Sequence, residues 1–100
     1  MDEEILDEYY RHLCGKYRSK QTRNNYHKFV SLFLRWLSVE KNKTYKDLKP
    51  EDTQDYKMFC LDHYKINGNV GRLNAINNFV DYLEKPNLRL TVQNLCKSIN

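Results

Sequence analysis

Six apolar side chains between residues 26 and 37 constrain this chain more than any other feature. Tyr26, Phe29, Val30, Phe33, Leu34 and Leu37 stand at i, i+3, i+4, i+7, i+8 and i+11. At about 3.6 residues per turn they draw one continuous stripe down a helix. Ser19 has the side chain of a good N-cap for that helix. Its opposite side carries Lys20, Asn24, Lys28, Ser31 and Arg35, with Arg23 and His27 on one flank. A long amphipathic helix with a basic solvent face is therefore expected, and a sheet is excluded over this segment.

The rest of the chain reads the same way. Residues 2–14 place Ile5, Leu6, Tyr9, Tyr10 and Leu13 on one side, with an acidic first turn and Gly15 as a stop. Residues 40–44 form a polar break. Pro50 suits the first position of a third helix, with Glu51, Asp52 and Asp55 at its positive end. Tyr56, Phe59, Cys60 and His63 line one side of it, with Met58, Leu61 and Tyr64 at the margins. Asn67-Gly68-Asn69 signals a stop and restart. A fourth helix to about Leu83 then turns Leu73, Ile76, Phe79, Val80 and Leu83 inward, with Asn74, Asn78 and Asp81 outside, flanked by Arg72 and Asn77. Lys85-Pro86-Asn87 ends it. The expectation is an all-α, compact bundle of four to five short helices crossing at steep angles. Its domain covers residues 1–86, and residues 87–100 form a linker or tail.

Charge narrows the class of partner. Residues 1–8 hold five acids, whereas Tyr9 to Val39 contains seven bases and no acid, against a net charge of +4 for the whole chain. No acid occurs between Asp62 and Asp81 either. Long acid-free basic stretches on an otherwise balanced domain point to a polyanion. The three cysteines, Cys14, Cys60 and Cys96, have no spacing of a disulfide scaffold and read as reduced, partly buried thiols. No segment approaches the roughly 20 apolar residues of a membrane span, and the acidic start is unlike a signal peptide. A cytoplasmic domain is expected.

Catalytic chemistry finds little footing. Cys60-x-x-His63 and His12-x-Cys14 lack the paired loop geometry of zinc sites, so a buried Cys and a packed His are the better reading. No nucleophile elbow, zincin helix or phosphate-binding loop occurs among only three glycines. Neither an active site nor a cofactor is expected. Surface polar chemistry remains. Lys and Arg of the second helix can neutralise phosphates, Ser19 and Thr22 can donate to them, and Asn and Arg of the fourth helix can meet base edges.

The order of these features resembles a known family. Tyr17-x-Ser19-x-x-Thr22-x-x-x-Tyr26-x-x-x-Val30-x-x-Phe33-Leu34-x-Trp36-Leu37 is similar to the opening helix of the core-binding domain of tyrosine recombinases, the phage integrase family. Leu48-Lys49-Pro50-Glu51-Asp52 resembles that family's loop-to-helix step, with Lys49 where Thr is usual. Arg72-Leu73-Asn74-Ala75-Ile76-x-x-Phe79-Val80-x-Tyr82-Leu83 resembles its last helix, although Gly68-Asn69 stands where a Ser/Thr cap usually precedes it. The resemblance covers about residues 16–86. It implies a SAM-like fold that clamps duplex DNA through the second and fourth helices, beside other recombinase subunits and near the nucleoid. Carried onto this sequence, the DNA-binding residues are Ser19, Lys20, Thr22, Arg23, Lys28, Arg72, Asn74 and Asn77. The family's catalytic residues belong to a domain that this chain lacks, so none of its tyrosines is assigned as nucleophile. The alternative function is a helical protein-interaction domain that assembles through its acidic first helix.

Overall fold

The computed structural model describes residues 2–92. Four α-helices carry the fold: α1 (Glu3–Lys16), α2 (Lys20–Lys41), α3 (Pro50–His63) and α4 (Ile66–Tyr82). One-turn 3₁₀ helices at Tyr45–Asp47 and Pro86–Leu88 complete it, and no strand occurs among the described residues. The all-α class is as the periodicity requires.

Each helix end has a local cause. Ser19 is extended, and its Oγ accepts the Thr22 N–H at 3.2 Å, so α2 starts where the N-cap chemistry places it. At the other end Asn42 takes the left-handed conformation (φ 54°). Its N–H returns to the Ser38 carbonyl, and that of Lys43 to Leu37, which satisfies the last carbonyls of α2. Pro50 opens α3, where the missing N–H costs nothing. Two residues on, the buried Asp52 carboxylate accepts the Lys49 backbone N–H at 3.0 Å and the Lys43 ammonium at 2.9 Å, with Lys41 Nζ 3.8 Å away. Burial pushes the Asp52 carboxyl up, but the Lys43 and Lys49 hydrogen bonds and the two ammonium charges outweigh it and hold it below its ordinary value. One carboxylate thus ties the end of α2 and its loop to the start of α3.

The core is shared by all four helices. Ile5, Tyr9 and Leu13 of α1 meet Val30, Phe33, Leu34 and Leu37 of α2, Tyr56 and Cys60 of α3, and Leu73, Ala75, Ile76, Phe79 and Val80 of α4. Helix α4 is the hub. It packs on α2, α3 and the following 3₁₀ turn, and its Asn78 accepts the Tyr9 hydroxyl of α1 while donating to the Tyr17 hydroxyl at 3.1 Å. A radius of gyration of 13.1 Å matches the roughly 13 Å of a compact chain of this length.

Tertiary contacts move several boundaries away from the expected ones. Helix α1 runs through Gly15, which is not left-handed, and stops at Tyr17, which turns extended so that its ring meets Tyr26 edge to face at 5.5 Å. Helix α4 begins at Ile66, so Asn67-Gly68-Asn69 is its first turn and not a break. The break lies at Tyr64-Lys65, bridged by Asn69 Nδ2 donating to the Tyr64 carbonyl at 3.2 Å. His63 is exposed and stacks on Phe59 at 4.3 Å, while Cys60 is buried and Cys14 exposed. The expected boundary at residue 86 also falls short of the core. Leu88 and Leu90 are buried in it, so the packed unit continues through residues 87–90. Cys96 and the tail from residue 93 lie outside the described residues.

Candidate nucleic-acid interface

The Phe29 ring joins the basic segments of α2 and α4. Lys28 Nζ lies 5.1 Å from the centre of the Phe29 ring, and Arg72 Cζ of α4 lies 5.0 Å from the same ring, which puts the two cations within about 10 Å of each other. The close approach is possible because Gly71 faces Phe29, where an added Cβ would sit 3.4 Å from Cε2. Arg72 is gripped on its other side by Tyr64, whose ring centre is 3.7 Å from Cζ. Its Nε and one terminal nitrogen are enclosed without a hydrogen-bond partner. This guanidinium is therefore a fixed cation stacked between two rings, not a mobile arm. Its charge is also felt at Tyr56 and Cys60. Burial pushes both groups up, and Arg72 opposes that only in part.

Along α2 the sequence-derived candidates take distinct positions. Lys20 and Lys28 are exposed, and so is Ser19, whose hydroxyl oxygen caps the helix. Thr22 is half-buried beside it. Arg23 is half-buried too, donating to the Tyr17 carbonyl at 3.3 Å, with its Nε enclosed. Arg23 is thereby tied to the α1–α2 connection. Asn24, on the same basic face, accepts the Tyr10 hydroxyl at 3.1 Å. Among the described residues every ion pair involves Lys41, Lys43 or Arg89, so the bases of α2 before Lys41, and Arg72, have no carboxylate partner.

The candidates on α4 separate. Asn77 is a correction: it is buried, and its amide grips Leu90 from both sides. Nδ2 donates to the Leu90 carbonyl at 2.9 Å, and Oδ1 accepts the Leu90 N–H at 2.6 Å. Both functions of the amide are thus spent inside the protein, leaving nothing to offer a base edge. Asn74 is exposed but lies two residues beyond Arg72, about 200° further around the axis. There it lines a cavity of about 450 Å³ with Arg89, Leu90, Thr91 and Val92. Arg72 and Asn74 thus serve opposite sides of the helix. Because α4 is packed by α2, α3 and the 3₁₀ turn, its exposed residues are confined to Asn67, Gly68, Val70, Asn74 and Asp81, and it presents no broad groove-reading face.

Sequence reasoning missed the part played by Phe29 and Tyr64, which it placed in the stripe and at a helix margin. The signal was faint: Phe29 sits at the edge of the α2 stripe, where a ring is half-exposed. Among the described residues, no group of three or more His, Cys, Asp or Glu side chains is placed to hold a metal ion, and no helix is long and apolar enough to cross a membrane. Comparison with protein-family models, curated proteins and solved structures finds no match for this chain.

Proposed function

We propose that this chain is a DNA-binding domain of the core-binding type found in tyrosine recombinases, non-catalytic by itself. It contacts duplex phosphates through Ser19, Lys20, Thr22, Arg23 and Lys28 of the α2 region, together with Arg72 of α4. The observation that carries the reading is the placement of Lys28 and Arg72 around Phe29. It brings two acid-free segments onto one basic surface that has no carboxylate partner among the described residues. Cations fixed in this way need little reorganisation to meet a phosphate. Asn77 is no part of this surface, and Asn74 faces away from it.

The test is fluorescence anisotropy of a short labelled AT-rich duplex titrated with the full chain at several salt concentrations. Affinity is expected to fall steeply with salt, by about 0.9 in log K per log salt for each phosphate neutralised. Lys28→Ala lowers affinity on every duplex and reduces that slope by about 0.9, with the helical circular dichroism unchanged. No binding at low salt, or an unchanged slope in Lys28→Ala, overturns the proposal.

A further inference from the structure

The last described residues follow an apolar path along the seam between α3 and α4. Leu88 and Leu90 are buried and Val92 is half-buried. Asn77 of α4 holds Leu90 from both sides, Lys57 of α3 donates to the Thr91 carbonyl at 2.9 Å, and Val92 shares a hollow with Asn74. The chain thus moves from Asn77 back towards the start of α4. Ahead of it lies apolar surface that no described residue covers. Val70 and Ile66 stand seven and eleven residues before Asn77, within about 20° of it around the helix axis and about 140° or more from Arg72. Val70 is 38% exposed, and Met58 of α3 is 56% exposed. Met58, Leu61 and Ile66 line a cavity of about 700 Å³ beside the turn that joins the two helices.

We infer that this surface is a docking site for the chain's own residues 93–99, which lie outside the described residues. Their sequence carries a matching apolar set. Val92, Leu95, Cys96 and Ile99 recur at i, i+3, i+4 and i+7, the spacing of one helical stripe, with Gln93, Asn94, Lys97 and Ser98 between them. Thr91, just before the stripe, has an N-cap side chain. The lengths agree as well. Residues 92–99 span about 11 Å at helical rise, and Asn74 stands about 12 Å along α4 from Ile66. The stripe begins at Val92, already seated beside Asn74, so Leu95, Cys96 and Ile99 need no linker to reach Val70, Met58 and Ile66. A segment tethered at Thr91 also meets this surface at an effective concentration on the order of millimolar, which a separate partner would have to match. The site lies away from Lys20, Lys28 and Arg72, so the inference is independent of the DNA-binding proposal.

Amide hydrogen exchange and methyl NOE spectroscopy of the isotopically labelled full chain, without DNA, test it. The amides of residues 95–99 are expected to exchange at least about tenfold more slowly than in an unstructured peptide. Cross-peaks are expected from the Leu95 and Ile99 methyls to those of Met58 and Val70. Val70→Asp and Leu95→Asp each remove that protection and leave the protection of α2 unchanged, and Leu95→Asp also shifts the Met58 methyl resonance. Val70 is exposed and Leu95 stands outside the four helices, so both variants keep the fold, which the helical circular dichroism checks. Residues 95–99 exchanging at the peptide rate overturn the inference, as does protection indifferent to Val70→Asp. Met58 and Val70 resonances that move with protein concentration also overturn it, because they assign the surface to a second copy.

Discussion

Replacing Asn77 by Ala separates its structural role from the DNA-contact role that the sequence assigned to it. The substitution leaves the Leu90 N–H and carbonyl in place but removes the amide that satisfies both inside the core. An unsatisfied buried polar group costs about 1–3 kcal/mol. Two such groups, partly relieved by local opening to water, make a loss of about 2–4 kcal/mol, a large share of the roughly 5–15 kcal/mol of a small domain. At about 4–8 °C per kcal/mol for a domain of this size, the melting midpoint falls by about 10–30 °C. Thermal circular dichroism of the full chain reads that shift. Amide hydrogen exchange at Leu90 reads its origin, with protection there lost more than in α2. A midpoint within about 2 °C of the parent, with Leu90 as protected as before, refutes the reasoning. So does unchanged stability with weakened duplex binding, which would return Asn77 to the interface.

Two further outcomes follow from local geometry. The Asp52 carboxyl lies below its ordinary value in the folded chain, so its contribution is present above the unfolded value of about 3.9 and is lost as pH falls through the depressed folded value. Urea unfolding from about pH 6 down to about pH 2 is therefore expected to show an acid decline that Asp52→Asn makes shallower, while lowering stability near neutrality. Gly15 is helical, with φ outside the left-handed region and open space where a Cβ would go. Gly15→Ala is thus expected to stabilise by about 0.5–1 kcal/mol in chemical denaturation.

Legibility followed the kind of interaction involved. The α2 stripe, the Ser19 cap and the Pro50 start are local and periodic, so each could be read from neighbours within two turns. The errors lie where a distant contact decides. Asn67-Gly68-Asn69 has the composition of a break, but Asn69 is buried and bonded across the turn to Tyr64, and the helix absorbs all three residues. Asn77 and Asn78 have the same side chain as Asn74 but are claimed by Leu90 and by Tyr9 and Tyr17 respectively, 13, 69 and 61 residues away. No helical wheel distinguishes the three, because the elements that cover two of them lie elsewhere in the chain.

The distribution of ion pairs gives the arrangement its logic. Lys41 and Lys43 meet Asp52 and Asp55 where α2 must be fastened to α3, and Arg89 meets Asp81 beside the buried Leu88 and Leu90. Positive charge is compensated where it serves the fold. On the N-terminal half of α2 and at Arg72 it is not, among the described residues, although five acids stand in the first eight residues of the same chain. Uncompensated like charges repel one another and lower the stability of the compact state. A polyanion laid along this face would remove that repulsion as well as gain its own contacts. The rings of Phe29 and Tyr64 keep Arg72 in place while it is unpaired, and the shielding they supply is weaker than a carboxylate's. Under the proposed function, Arg72 is held between these rings without a carboxylate partner among the described residues, which leaves its charge for a phosphate.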